Sequence, residues 1–315
     1  MIGLTASLRT VLFHSVSDRR SDFTDGLGVT MTPPDFRDRI KFLRRRYHPV
    51  DLEAVAAAAA GERLPPRALL VTVDDAYASV ADTMAGMLDD AGMPSVFFVN
   101  GEFIDHRHLG TDNLVTYTAN TVGRRALQAA AIEVGHGEGV MSVDEALGAF
   151  VPKLDQGTLR RFRAALIAAH DHDPLERARD EGLYMDSTAL RQLPASMAIG
   201  SHTSTHVRCR TLGDDDFGPE LTDNRAKLEK LTSKPVTAFS VPYGSRADLT
   251  PTVASAVADA GHDLVFLVEG QLNHGRMRPE MILRVSMKSS SNIGSVLELE
   301  VWPRVRHLRD RVLRR

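Results

Sequence analysis

Ala68-Leu69-Leu70-Val71-Thr72-Val73-Asp74-Asp75 is an unbroken apolar and β-branched run that ends in two carboxylates. A run without polar alternation reads as a strand buried on both faces, the pattern of a parallel sheet covered by helices. Adjacent aspartates repel unless a cation offsets them, so a carboxylate pair at the end of such a strand marks a site. Two further stretches have the same form: Ala198-Ile199-Gly200-Ser201 leads into His202-Thr203-Ser204-Thr205-His206, and Val236-Thr237-Ala238-Phe239-Ser240-Val241 leads into Pro242-Tyr243-Gly244. Three polar motifs thus close three expected strands. In parallel α/β sheets and barrels the downstream strand ends form the active-site edge.

The two histidines stand four residues apart, so on a helical turn both rings project from one face and can share one ion. Two His and one Asp leave a coordination position open, which is the arrangement of a catalytic rather than a structural site. A nitrogen and oxygen donor set of this kind binds several divalent ions, and Zn2+ is the expected one, with Co2+, Ni2+ or Mn2+ as alternatives.

Thr72-Val73-Asp74-Asp75-Ala76-Tyr77 resembles the T-F-D-D-G-Y string of the NodB-type polysaccharide deacetylases. Gly200-Ser201-His202-Thr203-Ser204-Thr205-His206 resembles their G-S-H-T-x-x-H, Phe239 to Gly244 resembles their P-Y-G motif, and the order along the chain is the same. The resemblance implies an α/β fold, a distorted (β/α) barrel, and a metal-dependent hydrolase that removes an N-acetyl or similar acyl group from an acetamido sugar in polysaccharide or glycolipid assembly. It implies that Asp75, His202 and His206 hold a divalent metal, that Asp74 is the general base, and that the backbone N–H of Tyr243 helps to bind the oxyanion. A subgroup similar to the poly-N-acetylglucosamine deacetylases carries an N-terminal His in a string like L-x-Y-H-x-V. Val11-Leu12-Phe13-His14-Ser15-Val16 fits it, which makes His14 the expected general acid and His274, in Leu272-Asn273-His274-Gly275, the alternative.

Three departures from the pattern stand out. Ala76 replaces a Gly, which matters only if that backbone needs a positive φ. Ser240 stands where many relatives carry an Arg that orients the catalytic Asp, and Arg284, in Ile282-Leu283-Arg284-Val285, is the expected substitute. The family's Asp-Trp motif has no counterpart, the one tryptophan being Trp302.

These motifs divide the chain into a barrel formed by residues 1–102 and 182–296, an inserted helical subdomain over 103–181, and a basic amphipathic helix over 297–315. Thr32-Pro33-Pro34-Asp35 should open a helix to about Tyr47, and a second should start near Asp51. Within the insertion, helical stretches are expected around Arg124 to Ala131, Val143 to Phe150 and Thr158 to Ala169. Such an insertion would sit above the active-site face as a lid. His170-Asp171-His172-Asp173 inside it reads as a solvated loop rather than a second metal site. In the tail, Val301, Trp302, Val305, Leu308 and Val312 form an apolar stripe beside Arg304, Arg306, Arg309, Arg311, Arg314 and Arg315. Packing on the barrel is one reading of that stripe, and peripheral contact of 301–315 with the anionic inner membrane face is the other.

Composition sets the remaining bounds. At 315 residues, 43% hydrophobic and 25% charged, the chain can bury one large core, or a barrel with an appendage. A net charge of −3 provides no field for nucleic acid, which is excluded as a partner; the partner that the resemblance implies is an acetylated saccharide. The single cysteine, Cys209, precludes an internal disulfide and reads as a bystander thiol. Met1 to Thr10 lacks the form of a secretory leader and no apolar run approaches a membrane span, so the expected location is the cytoplasm. Two other functions fit parts of the pattern: hydrolysis of a non-sugar amide or cyclic imide, and non-catalytic carbohydrate binding.

Overall fold

In a computed structural model of the protein, residues 8–137, 139, 141–287, 294, 296–303 and 305 are described. Seven parallel strands close into a barrel: β1 Arg9–Phe13, β2 Ala68–Asp74, β3 Ser95–Val99, β4 Met197–Ser201, β5 Ala238–Ser240, β6 Leu264–Val268 and β7 Ile282–Ser286. Closure comes from β1, which pairs with β7 through Val11↔Val285 and with β2 from Arg9↔Leu69 to Phe13↔Val73. The expected (β/α) barrel is present, and its distortion shows where β4 and β5 meet through the single pair Ser201↔Phe239. A two-residue strand, His48–Pro49, adds to the start of β2, and Ser15–Val16 pairs with Thr30–Met31 beside the barrel.

Strand periodicity sorts the side chains. Even-numbered positions of all seven strands face inward and odd-numbered ones face the helices, as two-residue alternation requires. Leu70, Val96, Phe98, Ala238, Leu264, Phe266 and Ile282 share one buried cluster that fills the lower barrel. Further up the same strands the inward positions turn polar, with Thr72, Asp74, Ser240 and Arg284. Gly200 is required by this packing: a Cβ there would lie 2.4 Å from the Phe98 ring and 3.2 Å from the Ala238 carbonyl oxygen.

The first helix runs Pro33–Arg46, capped by Thr32, with Phe36, Ile40 and Leu43 buried; the second runs Leu52–Ala59, capped by Asp51. The insertion contains Arg124–Glu133, Val143–Glu145 continuing into Ala146–Phe150, and Gln156–Ala168, close to the expected stretches. Sequence reading missed Thr111–Thr121 and Pro174–Asp180. Thr111–Thr121 is rich in Thr and Asn, poor helix formers. It is held by burial of Leu114, Val115 and Tyr117, and the Thr118 and Thr121 hydroxyls donate back to the carbonyls of Leu114 and Tyr117. Leu114, Leu127 and Phe162 belong to the same buried cluster as Val71, Val73 and Phe97, so the insertion continues the core outside the barrel.

His170 and His172 pack on Tyr117, His172 bonds the Tyr117 hydroxyl at 2.7 Å, and Asp173 caps Pro174–Asp180, so this string organises a loop. Near the C-terminus, Glu300 binds Arg9 at 2.8 and 2.9 Å and accepts from the Tyr47 hydroxyl at 2.8 Å. Leu299 is buried, whereas Val301 (39%), Trp302 (52%) and Val305 (50%) are exposed. Arg304, Arg306, Leu308, Arg309, Arg311, Val312, Arg314 and Arg315 lie outside the described residues. No helix among those described is long and apolar enough to cross a membrane.

Candidate active site

Asp74 is the last residue of β2 and faces into the barrel, and Asp75, one step beyond, leaves the strand with φ 68°. That left-handed turn is costly for a residue with a Cβ, of order 1–3 kcal/mol, and it separates the directions of the two carboxylates. Ala76 is not among the left-handed residues, so the Gly-to-Ala departure carries no strain. His202 follows β4, and the segment to His206 is an irregular loop in which Thr203 (φ 59°) and His206 (φ 60°) are also left-handed. The segment is therefore not the helical turn on which a four-residue spacing would put both rings on one face. Glu220 shapes the loop instead, accepting from the Ser204 amide at 2.8 Å, the Thr205 amide at 3.0 Å and the Thr205 hydroxyl at 2.7 Å. From below, the Asn100 side-chain amide donates to the carbonyls of His202 and Thr203.

The result is a cluster of Asp75, His202 and His206 with one potential ligand atom from each within 4.8 Å of one another. His206 Nε2 is 3.6 Å, and His202 Nε2 3.8 Å, from Asp75 Oδ1. Tetrahedral ligands about 2.1 Å from a common ion lie about 3.4 Å apart, so these separations suit one shared cation. Asp75 Oδ1 is buried and has no hydrogen-bond partner, an expensive state that a cation would relieve. His202 Nδ1 donates to the Ser240 carbonyl at 2.7 Å, which leaves Nε2 as the lone-pair nitrogen facing Asp75. Burial, against the pull of Asp74, lowers the His202 pKa to about 4, so the ring is neutral, as a ligand must be. The residues present therefore fit a divalent metal.

Arg284, wholly buried on β7, grips Asp74 with both arms: Nη1 to Oδ1 at 2.6 Å and Nη2 to Oδ2 at 2.7 Å. The same nitrogens reach Thr72 Oγ1 at 3.2 Å and Ser240 Oγ at 2.6 Å. The small Ser240 thus leaves room for a guanidinium that arrives from another strand. Burial alone would raise the Asp74 pKa, but the Arg284 charge, then that of His202, outweighs it and holds the carboxyl well below the usual carboxylate range. Asp74 Oδ2 also lies 3.6 Å from His202 Nε2, which puts an ionised carboxylate beside the metal cluster without making it part of the cluster.

His14 stands one residue beyond the downstream end of β1 and lines the same cleft of about 420 Å³ as Asp74, Asp75, His202 and His206. His274 is exposed, and its neighbour Asn273 pairs with Leu8 at the upstream end of β1. The two candidate acids therefore sit at opposite ends of the barrel, and only His14 is at the catalytic end. Tyr243 has φ 62° and leads into Gly244 (φ 70°), whose amide donates to the Val241 carbonyl at 2.9 Å. A Cβ at Gly244 would lie 2.5 Å from the Val268 backbone nitrogen, so glycine is needed here twice over. The Tyr243 ring lies 4.8 Å from His206 and its hydroxyl donates to Asp112 at 3.0 Å. Cys209 is buried, away from the cluster's ligand set.

Asn100, Glu220 and Asp112 were missed in the sequence. Asn100 had a signal, being a polar residue at the end of the apolar run Ser95–Val99; Glu220 and Asp112, on helical segments, had none.

No curated protein matches the sequence. The fold is similar to that of a Streptococcus pyogenes deacetylase, PplD, solved with acetate (TM-score 0.61, 12% identity, 94% of this chain and 99% of that one). It is also similar to IcaB from Ammonifex degensii (TM-score 0.59, 16% identity, 93% and 97%) and to the BpsB deacetylase domain from Bordetella bronchiseptica (TM-score 0.55, 16% identity, 90% and 96%). The polysaccharide deacetylase family model matches residues 61–265, a span that contains all three motifs, and the chain belongs to that family.

Proposed function

We propose that the protein is a metal-dependent hydrolase that removes an N-acetyl group from an acetamido sugar, with Asp75, His202 and His206 holding the ion, Zn2+ first among the candidates. The observation that carries this reading is the partnerless, buried Asp75 Oδ1 facing two imidazoles beside an Asp74 locked in its ionised form. A divalent ion held there would supply Lewis acidity, acidifying water and polarising the acyl carbonyl.

The chain's own groups do the rest. Asp74, aimed by Arg284 and Ser240, takes a proton from the attacking water at its carboxylate. The amide of Tyr243, fixed in the Pro242 to Gly244 turn, donates to the developing oxyanion. His14, one step beyond β1 on the strand beside Asp74, gives a proton to the departing nitrogen. Arg284 supplies the cation that Ser240 does not, which counts against a non-catalytic binding role. Tyr77, Phe103 and Tyr243 give the cleft an aromatic lining, which favours a sugar over a small imide.

Acetate release from N-acetylglucosamine oligomers and acetylated sugar nucleotides by zinc-loaded protein tests the reading. Asp74→Asn is expected to lower kcat by about a thousandfold or more with zinc content retained, and His206→Ala to lose both. Undiminished acetate release by Asp74→Asn would overturn the base assignment.

A further inference from the structure

The insertion brings into the cleft a side chain whose hydrogen-bonding capacity is only half used. Asp112, in the first turn of Thr111–Thr121, lines the same cleft as Asp75, His202 and His206. Its Oδ1 accepts from the Tyr243 hydroxyl at 3.0 Å. Tyr243 is itself held: the His206 ring lies 4.8 Å away, and the Arg208 guanidinium stands 3.9 Å over its ring, tied in turn to the buried Asp248 at 2.9 Å. The Asp112 carboxylate is therefore fixed in one orientation. Among the described residues its Oδ2 accepts no hydrogen bond.

The neighbouring Asn113 offers a contrast. Its amide nitrogen donates to the Phe23 carbonyl at 3.1 Å and the Tyr77 hydroxyl at 3.0 Å, and its oxygen accepts from the Tyr184 hydroxyl at 2.6 Å. Asn113 is spent on building the wall. Asp112 is anchored by one oxygen with the other to spare.

We propose that Asp112 is a substrate-binding, specificity-determining residue, with Oδ1 held by Tyr243 and Oδ2 offered as an acceptor to a hydroxyl of the sugar whose acyl group lies at the Asp74, Asp75, His202 and His206 centre. The proposal rests on the deacetylase reading above. The anchor on Oδ1 has already met the ordering cost of the side chain, so a hydroxyl bonded at Oδ2 adds to binding without it. Sites built to bond a hydroxyl discriminate strongly against ligands that lack it.

Asp112→Asn separates anchoring from substrate contact. The Asn carbonyl can keep the Tyr243 hydroxyl, which turns an NH2 donor toward the cleft in place of the acceptor. In zinc-loaded enzyme the ratio of kcat/KM for an N-acetylglucosamine oligomer to that for 4-nitrophenyl acetate is expected to fall about tenfold or more, carried by KM of the oligomer. A ratio that stays at the wild-type value overturns the proposal, because a carboxylate that serves only to hold Tyr243 is replaced by the Asn carbonyl. Wild-type protein that releases no acetate from any sugar defeats the deacetylase reading separately. Calorimetric binding of the same oligomer to zinc-loaded wild type and Asp112→Asn then decides: weaker binding by the variant supports the role of Asp112, and equal binding, including none by either, ends it.

Discussion

Asp74 and Asp75 are chemically identical neighbours with opposite surroundings. One backbone angle produces the difference: the left-handed turn at Asp75 carries its carboxylate to the imidazoles, while Asp74 stays in register with the barrel interior and meets Arg284. The Asp-Asp string was legible as a site, but nothing in it says which carboxylate meets a guanidinium. Arg284 lies 210 residues away from its partner and was visible only as a cation in a plausible late strand. His14 was the expected general acid and His274 the alternative on sequence motifs alone, and strand direction separates them, because Phe13 ends β1 at the catalytic rim while Leu8 precedes it at the far one. The role given to His14 makes a distinct demand: His14→Ala should slow amide cleavage by about a hundredfold or more but cleavage of an activated aryl ester far less, since an aryl oxide leaves without protonation. Comparable losses on both substrates would remove His14 from the acid step.

Among the elements, the loop from His202 to His206 differs most from its reading. Four-residue spacing suggests a helix, yet the two left-handed residues and the Glu220 clamp bring the same rings together without one. Spacing constrains the separation of ligands more than the backbone that joins them. Glu220 holds two amides and a hydroxyl of this loop, and a carboxylate accepting from backbone N–H groups makes strong, directional bonds. Glu220→Gln, which loses the charge and one acceptor, is expected to weaken zinc binding about 10- to 100-fold, measured by competition with a chromogenic chelator. Unaltered affinity would show that the loop holds its shape without the clamp. Thr111–Thr121 has a related lesson: local propensity is against a helix of Thr and Asn, and burial of Leu114, Val115 and Tyr117 overrides it.

Over the whole molecule, the barrel interior grades from a packed apolar base around Leu70, Phe98 and Phe266 to a polar upper layer, and the insertion extends the outer core while walling the cleft. The same tight packing sets an acid limit to stability. His262 is buried against Phe239 with neither ring nitrogen hydrogen-bonded, and burial, then the nearby Arg225, lowers its pKa to about 4. Between the ordinary value near 6.5 and about 4 the unfolded chain binds a proton that the folded chain refuses, so stability falls as pH falls through that window. From pH 6.5 to 5 the wild type should lose about 1.5 kcal/mol more than His262→Leu in urea unfolding, and parallel losses in the two proteins would refute the assignment. What the sequence determined by itself is what depends on neighbours along the chain: unbroken apolar runs make buried strands, and the polar residues that end them gather at one rim of a parallel barrel. Tertiary structure decided the rest: closure of β1 onto β2 and β7 brings Arg284 to Asp74 and His14 to the rim beside it, and the insertion sets Asp112 against Tyr243. Those contacts join residues far apart in the chain, and their distances exist only once the barrel has closed.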